Sequence, residues 1–171
     1  GPERERLQAL AIELGVGDRV KFWGRLPRQQ SLEKLGECIA LVHPSLHDSG
    51  GWVCLEAMAA NRPVICLDLG GPAVQVTAET GFKIAADTPE QAVADLAAAM
   101  QRLATEPELR SQMGMAARQR VEQTYAWERV GRSLVQLYED LKHPSNPTPL
   151  HQQQSAPPDE TRSDQQLDRV M

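Results

Sequence analysis

Apolar positions through residue 142 follow two rhythms. Leu7, Leu10, Ala11 and Leu14 recur at spacings of three and four, one face of a helix, and Gly15 supplies a C-terminal stop. RVKFW at 19–23 reads as a short strand. A helix is expected around 30–37, followed by the apolar run IALVH at 39–43. GWVCLEAMAA at 51–60 reads as helical and PVICL at 63–67 as a second apolar run. FKIA at 82–85 is a weaker strand, and three helices are expected near 89–104, 107–123 and 127–142. Apolar runs of this length between helices are the pattern of parallel strands buried on both faces. The expectation is a layered α/β domain with right-handed crossovers and no internal repeat. GPERERL opens directly on a helix, whereas such a domain normally begins with a strand, so an N-terminal truncation is expected.

From His143 the composition changes. The segment 143–171, HPSNPTPLHQQQSAPPDETRSDQQLDRVM, is rich in Pro, Gln, Ser and Asp and poor in large apolar residues. It cannot bury enough surface to offset its ordering entropy and is expected to be a disordered polar tail. The domain reading is therefore 1–142 for the folded part and 143–171 for the tail.

Composition narrows the function classes. The 171 residues carry a net charge of -5 and no basic stripe, which argues against nucleic acid as a partner. No apolar run approaches the roughly 18 residues of a membrane span. The first residues lack the design of a signal peptide. These features favour the cytoplasm and leave peripheral membrane association open. Cys38, Cys54 and Cys66 sit among apolar neighbours, without a CxxC, and read as buried free thiols.

The chemistry concentrates in PSLHDSGGWVCLEAMAANRPVICLDLGGP, residues 44–72. A buried strand ends at His43–Pro44, and a polar loop leads into a helix. Open α/β sheets bind ligands in such loops, at the carboxyl ends of their strands. Gly50 and Gly51 let a ligand approach the backbone where the helix begins, and the first helical N–H groups favour an anion such as a diphosphate. Taken singly, the same glycines suit a plain turn. Asp48 lies in the loop and Glu56 near the second turn of the helix, with seven residues between them. A carboxylate can accept both hydrogen bonds of a vicinal diol such as a ribose. Asp48 also suits a helix cap or turn, and Glu56 a solvent-facing helical position. Gly70 and Gly71, in the loop DLGGP (68–72), follow the next strand and are expected to flank one cleft with the first loop.

This segment resembles the donor-site signature of the group 1 (family 4) glycosyltransferases: PS, an acidic residue, a glycine turn, LEAMA, PVI and GGP. Flanking segments are similar too, over about 140 residues. The resemblance implies a Rossmann-like parallel sheet with helices on both faces, the C-terminal domain of the two-domain GT-B architecture, incomplete at its N-terminus. It implies a nucleotide-sugar donor, transfer with retention of configuration, no bound metal or other cofactor, and an acceptor domain outside this chain. It puts Glu56 at the ribose hydroxyls and Asp48, the catalytic candidate, at hydroxyls of the donor sugar. Ser49, Gly50 and Gly51 would face the sugar and diphosphate, with Gly70 and Gly71 on the same donor site and Leu26 at the nucleobase. Departures from the family pattern are Asp48 for the usual Glu, Gly50-Gly51 for the common Phe-Gly, Asn61 for a Gly, and Gln75 near a position often acidic. Trp127 and Tyr138 would lie on a helix that crosses toward the absent domain. The competing readings are a non-catalytic nucleotide-binding or protein-interaction module derived from such an enzyme and, less close in motif, a nucleotide-sugar epimerase.

Overall fold

The structure is a computed structural model that describes residues 1–142. Contacts divide the chain into a unit at Gly1–Val130 and a second beginning at Gly131. In order along the first unit come α1 (Arg4–Glu13), α2 (Arg28–Glu37), β1 (Leu41–His43), α3 (Trp52–Ala59), β2 (Val64–Leu67), α4 (Gly70–Gln75), β3 (Gly81–Ile84), α5 (Pro89–Thr105) and α6 (Pro107–Arg120). A π-helical segment, Val121–Tyr125, extends α6, and α7 (Trp127–Lys142) runs into the second unit. On α7, Trp127 and Tyr138 are both exposed. No described helix is long and apolar enough to cross a membrane.

The strands form one parallel sheet in the order β1-β2-β3. Leu41 pairs with Val64 and His43 with Cys66, while Val64 pairs with Gly81 and Leu67 with Ile84. All four residues of β2 are buried, and alternation sends them to opposite faces. Val64 and Cys66 join Cys54, Ala57 and Met58 of α3 in one core. Ile65 and Leu67 join Ala99 and Leu103 of α5 in the other. Helices thus cover both faces, which is why the central strand β2 is continuously apolar rather than alternating.

Glycine is used where backbones meet. A Cβ on Gly81 would fall 1.9 Å from the Val64 carbonyl oxygen, and one on Gly114 of α6 would fall 2.3 Å from that of Asn61. Asn61 ends α3 in the left-handed region, φ +59°, a conformation its type tolerates better than most.

Three segments differ from expectation. Residues 19–23 are not a strand: Gly17–Arg19 forms a 3-10 turn and the rest is irregular. No described strand lies beside them, and an extended run without a ladder partner leaves its backbone groups to water. Val20 and Trp23 are exposed, and the Lys21 ammonium stands 3.8 Å over the Trp23 ring. The loop DLGGP contains the start of α4, because Pro72 falls in a first turn, where its missing N–H breaks no bond. Residues 121–123 belong to the π-helical segment rather than to a regular α-helix.

Two outcomes follow for the core. Burial pushes the thiols of Cys54 and Cys66 up to about 12 and about 11, so thiolate is scarce at neutral pH. A thiol reagent should label Cys38, which is only partly buried, and reach the other two on unfolding. Gly114→Ala sets a helix-propensity gain of about 1 kcal/mol against an overpacking cost of about 1–3 kcal/mol. Denaturant titration should show a net loss of stability.

Candidate functional site

β1 ends at His43, and the loop after it is organised by one carboxylate. Asp48 Oδ1 accepts the N–H of Gly50 at 3.0 Å and that of Gly51 at 2.7 Å. Its Oδ2 lies 2.9 Å from His43 Nε2. The Asp48 side chain remains about a quarter exposed, at 26%. The Gly51 amide first, then the His43 ring, hold its carboxyl below the ordinary 3.8. Gly51 closes the turn at φ +56° and begins α3. The two amides that the sequence directs at a diphosphate are therefore engaged by Asp48. In the first turn of α3 the Cys54 N–H donates to the Gly51 carbonyl at 2.9 Å, which leaves those of Trp52 and Val53 outside the helical pattern.

The two glycine loops touch rather than stand apart across a cleft. Gly71 donates its N–H to the Asp48 carbonyl at 2.9 Å. A Cβ on Gly70 would fall 2.4 Å from the Asp48 carbonyl oxygen, and one on Gly71 would fall 2.4 Å from that of Ser49. Gly70 adopts φ +58°. Asp48, Ser49, Gly50, Gly51, Gly70 and Gly71 thus form one continuous wall. Its glycines are required first for the approach of one backbone to another.

Glu56 lies one and a half turns into α3 and lines a different feature, a groove of about 570 Å³. Leu26, Trp23, Lys34, Leu41 and Val53 border the same groove. Leu26 and Glu56, assigned to base and ribose, are therefore brought together. Glu56 is partly exposed, and its Oε1 accepts a bond from Arg28 Nη2 at 3.0 Å. An exposed pair of this kind contributes ~0–1 kcal/mol, so a ligand hydroxyl can displace it.

A family model for "Glycosyl transferases group 1" matches residues 1–120. The chain belongs to this family. The D-inositol 3-phosphate glycosyltransferase of Streptomyces avermitilis is 32% identical over 135 residues, which are 78% of this chain and 28% of that protein. Sucrose-phosphate synthase from Thermosynechococcus elongatus superposes with a TM-score of 0.70 at 32% identity, over 85% of this chain and 36% of that one. Anabaena HepE, solved with UDP and glucose, shares the fold, with a TM-score of 0.63 at 18% identity over 81% of this chain and 38% of that one. The chain therefore spans roughly a third of the length of its relatives. The sheet and its two helical layers are those of the GT-B glycosyltransferases.

Three residues that organise the site carry little sequence signal. His43 reads as a strand end, yet its ring meets Asp48 five residues on. Arg28 lies 28 residues from Glu56 and offers no local cue. Gln75 stands out only as a departure from the family's pattern, yet it lies beneath the Gly50–Gly51 turn and its Nε2 donates to the Gly50 carbonyl at 2.7 Å. Arg62 donates from Nη2 to the Gly36 carbonyl at 2.7 Å and ties α2 to the end of α3.

The bonds to Asp48 fix a pH dependence. Its folded carboxyl titrates below 3.8, so the order it gives the loop is present above that value and lost as pH falls through the lower folded one. Carbon-detected NMR titration should return an Asp48 midpoint below 3.8, with the Gly51 amide shifting in step. A midpoint at or above 3.8 would contradict this geometry.

Proposed function

We propose that this chain supplies the donor-binding part of a glycosyltransferase that moves a sugar from a nucleotide-sugar to an acceptor with retention of configuration. The support is that Leu26 and Glu56, far apart in sequence, border one groove beside the glycine-built wall, in a chain of this family. In this reading the base lies along Leu26, and the ribose hydroxyls replace Arg28 on Glu56. The diphosphate and sugar then reach the loop Asp48–Gly51, where Ser49 adds a hydroxyl and Gly70 and Gly71 back the wall. Asp48 Oδ1 keeps that loop in shape. Its Oδ2, which has a second lone pair beyond the contact with His43, takes a sugar hydroxyl.

The leaving diphosphate needs positive charge beside it. Residues outside this chain supply that charge in the proposal, along with the acceptor domain. The reaction uses no resident metal or other cofactor and takes place in the cytoplasm. The 171-residue chain alone then binds donor without turning it over. A second reading, a nucleotide-binding or protein-interaction module without catalysis, draws on the engagement of both Asp48 oxygens by the loop and by His43.

Calorimetry tests the proposal with UDP, GDP and ADP. One of them should bind, and Glu56→Ala should weaken that binding about 10- to 100-fold, the loss of a charge-assisted bond of about 1.5–3 kcal/mol. Arg28→Ala should leave affinity equal or tighter. Equal affinity in wild type and Glu56→Ala would remove Glu56 from the site. Sugar transfer by the chain alone would exclude the division of labour proposed here, and binding with no transfer by the longer protein would favour the second reading.

A further inference from the structure

Gln75, the last residue of α4, is only 6% exposed and lies under the Gly50–Gly51 turn. Its Nε2 donates to the Gly50 carbonyl at 2.7 Å. Its Oε1 has no hydrogen-bond partner. A Cβ on Gly51 would fall 2.4 Å from that oxygen. The orientation of the amide follows from chemistry, because the opposite one would set two acceptors against each other. An apolar side chain of similar size would avoid the orphaned oxygen. The amide N–H is therefore what this position provides.

The backbone of Gln75 is held as firmly as its side chain. Arg120, at the end of α6, donates from Nε to the Gln75 carbonyl at 2.7 Å and from Nη2 to the Val74 carbonyl at 3.1 Å. These are carbonyls of the last turn of α4, where a cation is favoured. The guanidinium also lies 5.9 Å from the centre of the Tyr125 ring, on the π-helical segment that follows. The loop is thus gripped from two sides. Asp48 takes its amide hydrogens, and Gln75, braced by Arg120, takes the Gly50 carbonyl.

We infer that Gln75 is a positioning residue of the donor site, fixing the peptide planes of Gly50 and Gly51 through the bond from its amide to the Gly50 carbonyl. This rests on the proposed donor-binding role of the loop. The chemistry at this position is specific. A carboxylate there cannot donate to Gly50, whereas a protonated carboxyl can, and burial raises the pH at which it gains the proton. Asp48 and His43 face the loop from the β1 side and Cys54 from α3, Arg120 of α6 holds the Gln75 carbonyl, and Glu79, in the turn after α4, lies near Arg120. All of these are the same in wild type and variant, so the ratio of the two proteins isolates residue 75.

The experiment compares the 171-residue chain with Gln75→Glu and Gln75→Leu between about pH 5 and about pH 8, a window that spans the titration of a buried carboxyl. It measures hydrogen exchange at the Gly50 and Gly51 amides and affinity for whichever of UDP, GDP and ADP the wild type binds. Gln75→Leu should lose protection at both amides and bind that nucleotide about tenfold more weakly at every pH, the equivalent of one hydrogen bond. Gln75→Glu should match it at the alkaline end and return toward wild type at the acid end. A ratio of Gln75→Glu to wild type that stays flat with pH, or unchanged protection in Gln75→Leu, would overturn the inference. If one variant fails to fold, the other carries the test, since each has its own expected profile. If wild type binds none of UDP, GDP and ADP while the exchange pattern appears as described, the donor-binding reading fails and the grip of Gln75 on the loop stands.

Discussion

The strand Val64–Leu67 has no exposed residue, and most of the first unit is arranged around that burial. A strand covered on both faces must be apolar at every position and must have its backbone paired on both sides. β1 and β3 supply the pairing, while α3 and α5 supply the two covers. Gly81 is forced by the same packing, since even a methyl group would strike the Val64 carbonyl. The carboxyl end of this strand leads directly into Gly70 and Gly71. The fully buried central strand and the candidate donor site are therefore close neighbours in the chain.

The site is built from backbone contacts before it offers anything to a ligand. Asp48 has one carboxylate oxygen engaged by its own loop and the other by His43 at the end of β1, and Gly71 gives its amide to the Asp48 carbonyl. Such internal satisfaction makes the loop rigid, and a rigid loop holds its remaining groups in place without a further ordering cost on binding. Glu56 is the contrast. It is partly exposed on the rim of a groove, and its partner Arg28 is a mobile type of side chain in water. One carboxylate shapes the wall, and the other remains free to exchange partners.

Several features are legible in the order of residues alone. The run PVICL marks a buried strand, GWVCLEAMAA marks a helix, and the glycines at 50–51 and 70–71 mark places of close approach. The family signature in residues 44–72 carries the architecture. The segment RVKFW misleads because strand formation depends on a neighbour, and apolar alternation cannot report whether one is present. The loop DLGGP misleads in the opposite direction. Two glycines and a proline read as a turn, but Pro72 falls in a first helical turn and the packing of α4 under β2 decides the matter.

Local pattern suffices for the alternation of helix and buried strand, for the family, and for which residue types stand at the strand ends. These depend on periodicity and composition, which neighbouring residues carry. What those residues touch is settled only by the tertiary structure. It set His43 against Asp48, Arg28 against Glu56, and Gln75 against Gly50. The last two pairs join separate elements, and the first depends on how the loop folds back on its strand. Hydrogen bonds are directional and short-ranged, so a partner is chosen by position in space, which no local pattern encodes.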